Sequence, residues 1–210
     1  MAVNALKFYF EQVLGRDKQY YDLPRPKKPL KLPGVLAEEE VAALFGRVKN
    51  LKHKAMLMAG YAGGLRVSEI ARLKIGDIDS KRMMIHIRGA KGKKDRMVPL
   101  SKTLLEVLRV YYKAYRPVNF IFEGQFGDHY SERSVQAILQ EAKKIAGISK
   151  KGSVHMLRHS YATHLMECGT DVRIIQELLG HNNIKTTMLY THVSKKDIGK
   201  IESPLDKLSW

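Results

Sequence analysis

The chain has 210 residues, 44% hydrophobic and 28% charged, with one cysteine, Cys168: long enough to bury a sizeable core, too apolar for a disordered polymer, and unable to form an internal disulfide or thiolate cluster. Lys and Arg number 37 against 21 Asp and Glu, a formal net charge of +16, and such an excess favours a polyanionic partner because neutralising backbone phosphates releases condensed counterions. No run approaches the roughly 18 apolar residues of a membrane span and the amino terminus lacks a signal pattern, so the expectation is a cytoplasmic protein with no membrane partner.

Residues 1–15 carry Ala5, Leu6, Tyr9, Phe10, Val13 and Leu14 at the spacing of one helix, with Gly15 as its stop. Residues 16–35 place Pro24, Pro26, Pro29 and Pro33 among lysines and read as a basic, extended linker. A lone helix cannot bury its apolar face, so residues 1–15 are expected to be the last helix of a truncated amino-terminal domain. The main domain then covers 36–194, and 195–210 form a tail. Helices are predicted over 38–48, 51–62 and 67–73, with Asn50 capping the second and Gly63 and Gly64 ending it. Short β-like runs at 83–88 and 96–100 flank a turn rich in Gly and Lys, which predicts a β-hairpin. Ser101 caps a helix to Tyr115, Pro117 breaks it, and Ser131 opens another that reaches Ala146 before Gly147. The remaining helices are predicted over 155–167, 172–179 and 184–193. The fold class is α+β, mainly α, with a small antiparallel hairpin.

Within the predicted helix at 155–167, His155 and Arg158 stand three residues apart on one face near an amino terminus, where free backbone N–H groups and the helix dipole suit a phosphate. Upstream, GGLRVSEI at 63–70 places Arg66 at a helix start behind two glycines that let backbone approach a ligand closely. The hairpin turn, RGAKGKKDRMVPL from Arg88, carries Lys91, Lys93 and Lys94, and by chemistry alone all three are equivalent. Bland readings stand beside these: Arg66 paired with Glu69 on one helix face, and Tyr190 as a core aromatic next to Leu189 and Val193. His155, His159 and His164 look superficially like a zinc set, but no carboxylate or cysteine completes it, and no metal is expected. Tyr161 reads as a packing residue, and His192 has no assigned task.

The segments 64–70, HMLRHSYATHL at 155–165 and LLGHNNIKTTMLYTHVS at 178–194, in this order and spacing, resemble the tyrosine recombinases, the family of phage integrases, and most closely the Xer-type enzymes. The resemblance spans 36–194. It implies the family's catalytic-domain fold and puts its two arginines on Arg66 and Arg158, its hairpin lysine on Lys91, its histidines on His155 and His181 and its nucleophile on Tyr190, with Glu69 orienting Arg66. It also implies a core-binding domain ahead of the linker, of which one helix remains here.

The activity implied by that resemblance is site-specific recombination: Tyr190 attacks a DNA phosphate, a 3′-phosphotyrosine bond conserves the phosphodiester energy, and a 5′-hydroxyl rejoins the strand without a cofactor. A free phenol, with a pKa near 10, is ionised about one part in a thousand at neutral pH. Two guanidiniums on the phosphate would lower that deficit and stabilise the transition state. Lys91 would protonate the departing 5′-oxygen, His155 would accept the phenolic proton or balance charge, and His181 would donate to the phosphate. The implied partners are double-stranded DNA with a specific site and further copies of the chain, a tetramer on DNA linked by exchanged tails. The tail's Ile198, Ile201, Leu205, Leu208 and Trp210 need a surface to cover. Chromosome dimer resolution is the expected setting. Two rivals are a topoisomerase using the same residue types to relax supercoils and a binding protein without turnover.

Overall fold

The computed structural model describes residues 2–17, 33–89 and 95–192, and the chain divides into two units, Met1–Lys31 and Leu32–Trp210. In the first, α1 (Ala2–Phe8) runs into a π-helical turn at Tyr9–Val13, where the Leu14 N–H reaches the Tyr9 carbonyl at 3.0 Å. Leu6, Phe8, Tyr9, Phe10, Val13 and Leu14 are exposed. Most of the expected linker and all of the 195–210 tail lie outside the described residues.

The second unit runs α2 (Glu38–Arg47), α3 (Leu51–Ala62), α4 (Val67–Ala71), β1 (Ile78–Asp79), β2 (Met84–Ile87), β3 (Arg96–Pro99), α5 (Lys102–Tyr115), α6 (Glu132–Ala146), α7 (His155–Glu167), α8 (Val172–Leu179) and α9 (Ile184–Met188). The helix starts follow from their caps. Asn50, Ser101 and Ser131 accept the N–H groups of His53, Leu104 and Ser134 at 3.1, 3.0 and 3.0 Å, each satisfying a donor that the first turn leaves free. Helices α6 and α8 end at Gly147 and Gly180, both left-handed, with φ of 71° and 60°.

Helix α3 is apolar on nearly every side, Ala55 to Gly60 all being buried, which marks a helix surrounded by protein. It packs on both α5 and α7, while α2 packs on α6. Leu44, Leu57, Leu65, Ile70, Phe122 and Leu139 belong to this main core. A second, smaller cluster joins Ala162, Ile175, Leu179 and Tyr190.

Three details differ from the sequence expectation. The hairpin gains a third strand, giving an antiparallel sheet of order β1-β2-β3 in which Ile85 faces both Ile78 and Val98; β1 is only two residues long and follows a 3-10 turn at Ile75–Asp77 that carries no apolar alternation. The helix expected over 67–73 stops at Ala71, where the Arg72 N–H still reaches Ser68 but that of Leu73 turns back to Ile70 at 3.4 Å. The last helix is α-helical only to Met188 and tightens to 3-10 geometry over Leu189–His192. There the Thr191 hydroxyl donates to the Met188 carbonyl at 2.7 Å, a side-chain bond that competes with the α-helical pattern.

Candidate active site

Helix α8 ends in carbonyls that have no partner within the helix, at the negative end of its dipole. Three arginines from distant segments converge on them. The Arg96 Nε donates to Leu178 O at 2.8 Å, Arg158 Nη2 to Leu179 O, and Arg66 Nη2 to Leu179 O at 3.3 Å and Gly180 O at 3.1 Å. Arg66 and Arg158 thus share one acceptor, so their guanidiniums lie side by side although they are 92 positions apart in the chain.

Each arginine owes its position to local structure. Arg66 is the N-cap of α4, extended at φ −73° and ψ 156°, and α4 starts there because Glu69 reaches back to accept its N–H at 2.8 Å. Arg158 lies one turn into α7, 3% exposed, and its Nη1 donates to Gly64 O at 2.7 Å. Gly64 has a φ of +57°, and a Cβ there would lie 2.6 Å from a Tyr161 ring carbon, so only glycine lets this carbonyl turn toward Arg158. Tyr161 packs against that turn, as expected of it.

Arg96 is the residue that sequence reasoning missed. Alternation along β3 buries Arg96 and Val98 and exposes Met97, so the guanidinium points inward. It binds Glu69 through both nitrogens, Nη1 to Oε1 at 2.8 Å and Nη2 to Oε2 at 2.7 Å, while Arg66 Nη1 shares Oε1 at 2.8 Å. Burial pushes the Glu69 carboxyl up, but the bonds and charges of Arg96 and Arg66 outweigh it and hold the group at about 2. Burial, and then the neighbouring Arg66 charge, lower Arg158 to about 9, still a cation at neutral pH.

Tyr190 is 2% exposed. Its hydroxyl lies 3.0 Å from Nδ1 of His159, and the His181 ring lies parallel to its own within 14°, centroids 6.5 Å apart. Burial raises the phenol's pKa, with Arg158 and Arg66 pulling the other way. His181 follows the left-handed Gly180 and its Nδ1 meets the Thr187 hydroxyl at 2.9 Å. Burial first, then Arg158 and Arg66, lower His181 to about 4; burial, then His155 and Arg158, lower His159 to about 4 as well. His155 is exposed, and partial desolvation followed by the charges of Arg158 and Arg66 lowers its pKa. His164 bonds to the Tyr61 hydroxyl at 2.9 Å, so the three histidines of the superficial zinc pattern serve different neighbours.

Lys91, Lys93 and Lys94 lie outside the described residues. At the foot of their loop, the Asp95 carboxylate accepts the Gly89 N–H at 2.8 Å and pairs with His86 Nε2 at 3.0 Å. A groove of about 950 Å³ opens beside the cluster, bordered by His86, Asp95, Arg96, Arg173, Gly180 and His181.

Residues 34–197 match the model of the phage integrase family. A Sinorhizobium fredii protein named as an integrase/recombinase is 42% identical over 210 residues, covering 99% of this chain and 84% of its own. Tyrosine recombinase XerA of Pyrococcus horikoshii is 40% identical over 202 residues, 94% of this chain and 70% of its own. Among solved structures, the XerH site-specific recombinase bound to palindromic difH substrate, a post-cleavage complex, superposes with a TM-score of 0.71 at 27% identity, over 79% of this chain and 51% of that one. The chain belongs to the phage integrase family, with the catalytic-domain fold of an Xer-type tyrosine recombinase.

Proposed function

We propose that this site carries out recombination with Tyr190 as nucleophile and the other expected residues in the roles their chemistry suits. Arg66 and Arg158 clamp the scissile phosphate, their planar forks matching its oxygens. Glu69 fixes Arg66. His181 donates to a non-bridging oxygen, His155 balances charge at the exposed side, and Lys91 protonates the departing 5′-oxygen. One observation carries the reading: two guanidiniums meet at the Leu179 carbonyl with the Tyr190 phenol inside their field.

Double-stranded DNA is the partner, as the +16 charge suggests and as XerH bound to its difH substrate illustrates. Assembly as a tetramer on DNA with exchanged 195–210 tails, residues 1–15 as the last helix of a core-binding domain, a cytoplasmic location and service in chromosome dimer resolution complete the proposal. On a nicked suicide duplex the chain should form a covalent adduct that Tyr190→Phe abolishes. Binding without an adduct would leave a DNA-binding protein, and relaxation of a plasmid lacking any recombination site would favour the topoisomerase reading. Removal of residues beyond Lys195 should lower the oligomer mass seen by light scattering.

A further inference from the structure

Cleavage requires a base for the Tyr190 proton, and four groups of the cluster could supply one. Glu69 holds two arginines and, at about 2, is far too weak a base. His181 is bonded through Nδ1 to Thr187, and it meets Tyr190 through a parallel ring contact at 6.5 Å rather than a hydrogen bond. His155 is exposed, with its ring beside His159 at 6.4 Å. His159 alone among them has a nitrogen in hydrogen-bond contact with the phenol, at 3.0 Å, with the two ring centroids 5.8 Å apart and the planes tilted by 50°. A buried phenol has to place its hydrogen on an acceptor. A neutral imidazole protonated at Nε2 presents the Nδ1 lone pair for it.

We infer that His159 is a catalytic residue, the general base that takes the proton of Tyr190 as the phenol attacks the phosphate. The inference rests on Tyr190 being the nucleophile. The step balances: the Tyr190 O–H bond breaks, its proton passes to Nδ1, and the electron pair forms the Oη–P bond. The P–O5′ bond then releases its pair to the 5′-oxygen, which takes a proton from the general acid. Rejoining reverses both transfers, with His159 returning the proton to the departing phenolate. His159 is neutral before DNA arrives, because burial and then the His155 and Arg158 charges disfavour its protonated form. A phosphate anion between the arginines offsets the Arg158 charge and makes protonation easier when the transfer is needed.

His155 and His159 are four residues apart on α7, so one helical face presents both; the sequence pattern directs attention to the first, and the packing brings the second to the phenol.

The test uses the full chain and a nicked suicide duplex selected from a randomised pool by wild-type adduct capture. His159→Gln should form adduct about 100-fold more slowly, and His159→Asn is the alternative if the glutamine variant fails to fold. Difluorotyrosine at position 190, whose phenol ionises more readily, should restore most of that loss. A bridging 5′-sulfur, which departs without a proton, should rescue Lys91→Ala but not His159→Gln. Wild-type rates in the His159 variants, a defect that fluorination leaves untouched, or rescue of His159→Gln by the sulfur would each overturn the assignment. A pool from which the wild-type chain captures nothing would instead overturn the reading of Tyr190 on which it rests.

Discussion

The two halves of the site are held by different forces. On the phosphate side, Arg66, Arg96 and Arg158 are fixed by a carboxylate and by the end of α8, every bond of the set being charge-assisted. On the nucleophile side, Tyr190 stands on a 3-10 turn that follows a five-residue helix, held by neutral contacts to His159 and His181 and by Ala162, Ile175 and Leu179 of an apolar cluster separate from the main core. Bonds to charged groups contribute about 1.5–3 kcal/mol each, and neutral ones about 1 kcal/mol. The electrostatic half is therefore preorganised, as transition-state stabilisation requires, whereas the nucleophile is displaced at smaller cost. Leu179 joins them: its carbonyl serves two arginines, and its side chain packs in the cluster of Tyr190.

The hardest test of this contrast is Arg158→Ala. It removes a phosphate ligand and leaves the Gly64 and Leu179 carbonyls short of a donor, so adduct formation in a single turnover should fall by about 1,000-fold or more. A loss below tenfold would mean that the clamp is not where the barrier is lowered. Arg158→Lys should recover little, since an ammonium cannot replace the fork.

Glu69 supplies the next effect. Its pKa is about 2 in the folded chain against an ordinary 4.5, so its contribution, about 3 kcal/mol, is fully present above pH ~4.5 and is lost as pH falls toward 2. His159 and His181, both at about 4 when folded and near 6.5 ordinarily, are protonated first in the unfolded chain, so they erode stability between about pH 6.5 and 4. Urea midpoints across pH 7 to 2.5 should show both limbs. In Glu69→Gln the lower limb should vanish while the upper one stays; persistence of the lower limb would assign it to other carboxylates.

Gly64→Ala should lower stability by about 2–3 kcal/mol, combining a left-handed backbone cost of about 1 kcal/mol with ring and methyl contacts at 2.6 and 3.0 Å. That corresponds to a fall in melting temperature of roughly 5–10 °C. An unchanged melting temperature would show that the Tyr161 ring yields freely.

How far the sequence speaks differs between the halves for a physical reason. Arg66 and Arg158 are legible through the family resemblance, since taken alone Arg66 reads equally as the partner of Glu69 three residues on, whereas the caps at Asn50, Ser101 and Ser131 are local chemistry. Arg96 reads as a break in the alternation of a strand; its partners Glu69 and Leu178 lie 27 and 82 positions away. The carbonyls of 178–180 have no signature at all, since any residue there offers the same oxygen. His159 is hidden likewise by a partner 31 positions on, and β1, two residues long, is too short to show a period.

The mildest perturbation probes the nucleophile side. Thr187 is fully buried, and its hydroxyl meets Nδ1 of His181. For His181 to donate to phosphate through Nε2, its proton has to be there, which requires the threonine O–H to donate to Nδ1. Thr187→Val preserves shape but removes that donor, freeing Nδ1 to take the proton. Adduct formation should slow about three- to tenfold, the worth of roughly 1 kcal/mol, while Thr187→Ser, which keeps the hydroxyl, should stay near the wild-type rate. Equal slowing in both variants would point to lost packing instead, and a 1,000-fold loss in the valine variant would make this side as rigidly organised as the arginine clamp and erase the contrast.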